Sequence, residues 1–142
     1  WAVSRIGEKR MIGAYAYKSL LNQFGMIAIG TDFPVELTDP FLTIHAAVQR
    51  KNADNIPAMG FLPKEQITLE DCIKGMTIWA AFASFQEKQL GTLEKGKDAT
   101  FFISSGDALD MRTNNVEKAY IQGIEVDLNN HQKELFKKYK NR

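Results

Sequence analysis

Apolar residues in the first half of the chain recur at helical spacing, and one short apolar run interrupts them. The spacing predicts a helix over residues 11–24, and Gly25 is a natural left-handed end for it. Met26–Ile29 follows without polar alternation, a pattern typical of a strand that is covered on both faces in a parallel sheet. The apolar face of the first helix would comprise Ile12, Ala16 and Leu20.

Two further helices are predicted after this strand. Asp39-Pro40 opens the first, because Asp caps free amide groups and Pro needs no donor at the first helical position. A loop over residues 55–63 leads to the second, which begins at Thr68–Asp71 with the spacing of a capping box and ends within residues 87–91. The expected buried positions are Phe41, Ile44 and Val48 in the first helix, and Ile73, Met76, Thr77, Ala80 and Ala81 in the second.

The pattern changes after Gly91, where short strands replace helices. Ala99–Ile103 is predicted to be a strand, and a polar loop follows over residues 104–115. Residues 116–128 are predicted to form a hairpin that turns on Gln122-Gly123. The last stretch, residues 130–142, predicts a surface helix, with a partner-binding tail as the alternative. Together these elements predict an α/β fold.

Composition and charge exclude several classes of protein. The chain has 142 residues, of which 44% are apolar and 25% charged, the balance of a globular domain. Its 18 basic and 17 acidic side chains give a net charge of +1, so neither nucleic acid nor a membrane is indicated as a partner. No apolar stretch approaches the roughly 20 residues of a membrane span. The single Cys72 excludes an internal disulfide, and we expect a cytoplasmic location.

Asp32 is the residue with the clearest catalytic potential. It follows the predicted buried strand directly, and α/β folds gather their active-site groups at the carboxyl ends of strands. A carboxylate at that position can bind a metal or move a proton. The alternative is that Asp32 only caps the turn that Phe33 and Pro34 continue, since Asp is also a common turn residue.

Other chemistry has little support. His45 and His131 lack cysteine or carboxylate neighbours at ligand spacing, so neither suggests a metal site. Residues 91–96 resemble a phosphate loop only in their glycines, because no hydroxyl residue follows Lys97. No serine lies in the setting of a nucleophile, and Cys72 falls inside a helix. Pairing of Asp32 with Glu36 or Asp39 as acid and base stays open.

Five segments resemble, in order and spacing, the family-3 branch of the amidohydrolase superfamily, which includes D-aminoacylase-like and formamide-deformylase-like proteins. The resemblance covers residues 1–127. Thr31 stands where this branch commonly has Ser, and Thr100 stands where it usually has Asp. The segments are Trp1 with Arg5–Arg10, Gly25–Val35, Asp39–Arg50, Ile67–Ala81 and Gly91–Phe101.

The resemblance implies roles for the residues around Asp32. Asp32 corresponds to the aspartate after the eighth barrel strand, which approaches the metal and passes a proton from the hydrolytic water to the leaving group. Phe33 and Pro34 are expected to border the pocket for a small-molecule substrate. The implied cofactor is a divalent metal, zinc in our expectation. The family's His-x-His pair and its other metal ligands have no counterpart among residues 1–142.

The resemblance also implies an architecture. We expect the C-terminal fragment of a TIM-like (β/α)8 metal-dependent hydrolase barrel plus part of its small β-sandwich subdomain. Residues 1–90 would be the last helix-strand-helix units, 91–128 the sandwich strands and 129–142 a tail helix. Because the chain starts at Trp1, we expect a missing N-terminal part to complete the site, and the fragment alone to be inactive and metal-free. The rival is a complete, non-enzymatic α/β association module, with a homodimer as its expected form.

Overall fold

Helices dominate the first of two compact units, residues 1–92, in a computed structural model that describes residues 2–110 and 112–140. Trp1, which belongs to the first family motif, lies outside the described residues, as do Asn141 and Arg142 at the end of the predicted tail helix. None of the described helices is long and apolar enough to cross a membrane. The helices are α1 (Ala2–Ile6), α2 (Tyr17–Phe24), α3 (Pro40–Gln49), α4 (Leu69–Met76) and α5 (Ile78–Ala83), with 3-10 helices at Glu8–Gly13 and Pro63–Glu65.

The single helix predicted over residues 11–24 is wrong in its first half. Tyr15 has a left-handed φ of 53°, which breaks the helical ladder between the 3-10 helix and α2. Because the phase is lost there, the predicted apolar face does not form: Ile12 is 80% exposed, and the buried residue of α2 is Leu21. The predicted end is confirmed, since Gly25 adopts φ 76° and its amide donates to the Leu21 carbonyl.

The segment predicted as a buried strand, Met26–Ile29, forms no strand: it has no regular secondary structure and no neighbouring strand among the described residues, and Met26 and Ala28 are exposed. It packs instead against α4, where the Ile29 amide donates to the Gly75 carbonyl at 3.0 Å. A Cβ on Gly75 would lie 2.7 Å from Ile29 Cδ1 and 3.0 Å from the Ile27 carbonyl oxygen, so a side chain there would require Ile29 to shift. The core of the first unit surrounds this contact. Its buried members are Leu21, Ala47, Ile67 and Cys72, with Ile27, Ile29, Ile44, Val48, Met76 and Trp79 packed against them.

The start of α3 is confirmed, because the Asp39 side chain accepts the Phe41 amide at 2.9 Å. The start of α4 is confirmed as well: Thr68 accepts the Asp71 amide at 3.0 Å. The predicted continuation to residues 87–91 is wrong. Thr77 breaks the helix at φ −122°, ψ −95°, and its hydroxyl donates to the Ile73 carbonyl at 2.7 Å.

This break changes which face is buried. Ile73 and Thr77 are exposed, whereas Cys72, Gly75 and Ala81 are buried, so the predicted buried face is only partly correct. Helix α5, which follows the break, ends at Ala83.

Two charged side chains are buried in the first unit, and neither was singled out from the sequence. Arg50 is 6% exposed, donates to the carbonyls of Tyr15 and Phe61, and stacks over the Tyr17 ring. Burial lowers the pKa of its guanidinium. Glu65 is 8% exposed and accepts both the hydroxyl and the amide of Ser19, at 2.7 and 2.9 Å.

Glu65 therefore caps α2 from a distant part of the chain. Ala16, the residue before α2, offers no side-chain cap, and Ser19 lies in the first helical turn. A carboxylate at this end also interacts favourably with the helix dipole. The bonds from the Ser19 hydroxyl and then the Ser19 amide lower the pKa of the Glu65 carboxyl below its ordinary value of 4.5.

A three-stranded antiparallel sheet forms the second unit, residues 93–142. Its strands are β1 (Phe101–Ser104), β2 (Val116–Ile121) and β3 (Ile124–Glu125), in the order β1-β2-β3. The predicted hairpin turn is confirmed, since Gln122 and Gly123 both have positive φ, as a two-residue hairpin turn requires. The rings of Phe101 and Tyr120, paired across β1 and β2, lie 5.0 Å apart.

The loop between β1 and β2 is organised by one hydroxyl. Ser104 Oγ donates to Asn114 Oδ1 at 2.8 Å and accepts the Asn115 amide at 3.1 Å. The tail helix predicted after residue 130 is present as α6 (His131–Tyr139), and Asn130 caps it by accepting the Lys133 amide.

We expect Glu65→Gln to lower the melting temperature of the chain at pH 7. Because folding depresses the carboxyl pKa, the ionised Glu65 stabilises the fold above its unfolded pKa, and this contribution is lost as pH falls through the folded pKa. The difference between variant and wild type should therefore shrink below about pH 4.5. Thermal unfolding followed by circular dichroism from pH 3 to 7 measures it.

Glu70→Gln is the matched control, since Glu70 pairs with Lys74 on the exposed side of α4. A Glu65 variant as stable as the Glu70 variant at pH 7 would contradict the capping role.

Candidate functional site

Asp32 begins the turn that follows segment 26–29. Its backbone is left-handed, with φ 56°, and its side chain is exposed. Asp is one of the few residue types that adopt this conformation readily. The contact of Ile29 with α4 holds the chain immediately before the turn, so the position of Asp32 follows from the core of the first unit.

The Asp32 carboxylate does not cap its own turn. The Phe33 amide donates to the Thr31 hydroxyl at 3.4 Å, and the Val35 amide donates to the Asp32 main-chain carbonyl at 2.9 Å. Pro34 has no amide hydrogen. Within residues 2–110 and 112–140 the carboxylate itself accepts no hydrogen bond and forms no ion pair. The side chain is therefore available to a ligand.

Apolar side chains continue the surface beyond Asp32. Phe33, a residue expected to border the substrate, is 66% exposed, and Pro34 is exposed beside it. Val35 and Leu37 are also exposed, at 74% and 69%. These exposed apolar residues all follow Asp32 within five positions of the chain.

No hydrogen bond joins the Asp32 carboxylate to the neighbouring Glu36 or Asp39 among the described residues. Asp39 is engaged as the cap of α3, where it accepts the Phe41 amide, so its carboxylate has a structural task. Glu36 is exposed in the loop between them. The open pairing of Asp32 with Asp39 or Glu36 thus has no contact that supports it among the described residues.

A metal site cannot be assembled from the described residues alone, because no three of their His, Cys, Asp or Glu side chains lie together. His45 in α3 has a buried Nε2 without a hydrogen-bond partner in the part of the chain that the structure describes. His131 belongs to α6 in the second unit. Cys72 is fully buried, and burial raises the pKa of its thiol, so it is a core residue. Asp32 is thus the one residue predicted from the sequence as a metal ligand, and that role stays a prediction.

Comparison with known proteins decides the family. The model of the amidohydrolase family matches residues 1–126. The chain belongs to the amidohydrolase family. This confirms the resemblance of the five sequence segments, and it leaves α6 beyond the matched residues.

Relatives with curated sequences support this family. The chain is 35% identical over 107 residues to the amidohydrolase-like protein YtcJ of Bacillus subtilis (strain 168), covering 75% of the chain and 20% of YtcJ. It is 36% identical over 110 residues to the protein LONG AFTER FAR-RED 3 of Arabidopsis thaliana, covering 75% of the chain and 18% of that protein. The chain therefore spans about a fifth of the length of these relatives.

Solved structures agree. The crystal structure of an amidohydrolase from Thermotoga maritima MSB8 superposes with a TM-score of 0.58 at 28% identity, over 79% of this chain and 25% of the other. An uncharacterised metal-dependent hydrolase from Pyrococcus furiosus superposes with a TM-score of 0.55 at 34% identity, over 68% of this chain and 19% of the other. Members of this family thus include metal-dependent hydrolases.

We expect the isolated 142-residue chain to retain no stoichiometric zinc. One carboxylate, Asp32, gives the ion too few protein bonds, since stable sites use three or four. The purified chain would be incubated with zinc, desalted and measured by elemental analysis. One tightly held zinc per chain would contradict this description of the site, and a zinc enzyme carried through the same steps serves as the control.

Proposed function

We propose that this chain acts as the C-terminal part of a longer metal-dependent amidohydrolase that hydrolyses an amide or a related C–N bond. The observation that carries the proposal is Asp32, whose carboxylate accepts no hydrogen bond of its own turn among the described residues. It follows the packed segment 26–29 in a chain of the amidohydrolase family. The relatives are about five times longer than the matched region, which leaves room for the other residues of the site.

The first unit supports a fragment of a (β/α)8 barrel within that protein. The first unit contains, in order, helix α2, segment 26–29 and helix α3. In such a barrel a helix, a strand and a helix follow one another in the same order. The backbone of segment 26–29 has no strand partner in the described chain. Neighbouring strands in the rest of a barrel would supply such hydrogen-bond partners. In this proposal the sheet of β1–β3 belongs to the small sandwich subdomain.

The proposed role of Asp32 is proton transfer. We infer that its carboxylate takes a proton from the attacking water as the oxygen adds to the carbonyl carbon. It then returns this proton to the nitrogen as the C–N bond breaks, so that an acid and an amine leave. Phe33 and Pro34 would border the substrate beside it. A bound divalent metal, zinc in our proposal, would lower the pKa of the water, and the residues that hold most of it lie outside this chain.

Asp32→Asn in the longer protein should reduce turnover at least about a hundredfold, because the amide cannot accept the proton. The exposed turn should keep its fold, since the side chain makes no hydrogen bond there among the described residues. Hydrolysis of a panel of N-acyl amino acids and simple amides, followed by NMR detection of the released amine, measures turnover. Circular dichroism and melting temperature check the fold.

Asp54→Asn, in an exposed loop of the same unit, is the matched control and should leave turnover unchanged. An Asp32 variant with wild-type turnover would overturn the proposed role.

A second candidate function is a non-enzymatic association module. Large apolar side chains are unusually exposed in the first unit, such as Phe85 at 93% and Met59 at 83%. An association surface would cover such residues, and so would the rest of a longer enzyme. Size-exclusion chromatography with light scattering distinguishes the two.

The enzyme-fragment proposal predicts that the isolated chain forms a mixture of oligomers, because several apolar faces lack their natural cover. A single discrete dimer would favour the association module instead. A well-behaved monomer would contradict the fragment proposal, since it would show that these faces need no cover.

A further inference from the structure

The carboxylate of an aspartate in a turn ordinarily accepts a hydrogen bond from a backbone amide of the same turn. The side chain of an Asp at position i reaches the amide of residue i+2 in an Asx turn, or the amides of i+2 and i+3 in a helix cap. Asp39 in this chain does so, since it accepts the amide two residues later. Asp32 differs from Asp39, although both stand in turns of the same unit.

None of the three backbone nitrogens that follow Asp32 donates to its carboxylate, and the reason differs for each. At position i+2, Pro34 has no amide hydrogen. At position i+3, the Val35 amide is held by the Asp32 main-chain carbonyl at 2.9 Å. At position i+1, the Phe33 amide donates to the Thr31 hydroxyl at 3.4 Å. The turn thus satisfies its donors without using the carboxylate.

We propose that Thr31 and Pro34 are positioning residues whose task is to keep the Asp32 carboxylate out of the hydrogen bonds of its own turn. The inference rests on the proposed function. In that function the Asp32 side chain must reach first a water and then a leaving nitrogen, and a carboxylate without hydrogen bonds to its own turn can do so. A carboxylate that accepts amides of its own turn is fixed in one rotamer and pointed at the backbone. Thr31 acts by retaining the Phe33 amide, and Pro34 acts by having none.

The Thr31 contribution is modest, because a 3.4 Å bond on the surface is long for an amide donor. The hydroxyl is the group that matters, so Ser should replace Thr and Val should not. Thr31→Val is nearly isosteric and changes little else in the turn. This pair of variants separates the hydroxyl from the shape of the side chain.

In the longer protein, Thr31→Val should lower kcat about threefold to tenfold with little change in KM, and Thr31→Ser should restore it. Thr43→Val in α3 is the matched control, since the Thr43 hydroxyl makes no hydrogen bond within the described chain. Equal kcat values for wild type, Thr31→Val and Thr31→Ser would overturn the role of Thr31. A general loss of stability would lower the melting temperature of Thr31→Val, so that temperature is measured beside kcat.

Pro34→Ala supplies the missing amide and tests the second half of the proposal. We expect a crystal structure of this variant of the longer protein to show the new main-chain amide at position 34 donating to an Asp32 carboxylate oxygen at about 3 Å, with kcat lowered about tenfold. If that amide is instead bonded to water, with the carboxylate unmoved, the role of Pro34 is overturned. If this variant fails to fold, the Thr31 series still decides the inference.

The outcomes separate this inference from the proposed function. If Asp32→Asn keeps full turnover, the proposed function fails and the positioning roles fail with it. If Asp32→Asn is inactive while Thr31→Val and Pro34→Ala both match wild type, only the positioning inference fails.

Discussion

Gly75 allows α4 to lie directly against segment 26–29, which leads to Asp32, and the position of the turn depends on this contact. The Ile29 amide donates to the Gly75 carbonyl, and a Cβ at Gly75 would meet Ile29 Cδ1 at 2.7 Å. Ile29 and its neighbour Ile27 then reach the core around Cys72 and Leu21. Because the segment has no strand partner in the described chain, this packing holds the backbone that precedes the carboxylate.

Polar interactions around α2 hold the other side of the same unit. Glu65 caps α2, and Arg50 joins the carbonyls of Tyr15 and Phe61 while it stacks over Tyr17. Both charges are buried, and each is satisfied by hydrogen bonds. They connect residues that lie far apart in the sequence, such as Ser19 and Glu65 at a separation of 46. The unit therefore combines a small apolar core with hydrogen bonds made by buried charged side chains.

Local signals were sufficient for most element ends. The caps at Asp39 and Thr68 and the hairpin turn at Gln122-Gly123 depend on residues within a few positions of one another, so the sequence predicts them. The breaks at Tyr15 and Thr77 do not follow from helical periodicity, because the apolar spacing continues across both. Tertiary contacts were beyond such local signals, since the Glu65 cap requires a partner that no local pattern identifies. Asp32 lies between these cases: turn chemistry alone favours a capping role, and the ordered family motifs indicate a catalytic role. In the structure the carboxylate makes no capping bond within the described chain, and its catalytic role stays a prediction.

The central claim is that Asp32 belongs to a metal-dependent site completed by residues outside this chain. A crystal structure of the longer protein with zinc bound tests it most directly. The account predicts an Asp32 carboxylate oxygen either bound to the metal at about 2.0–2.2 Å or within hydrogen-bond distance, about 3 Å, of its water. A carboxylate more than about 8 Å from the metal, or one bonded to the amides of its own turn, would contradict the account.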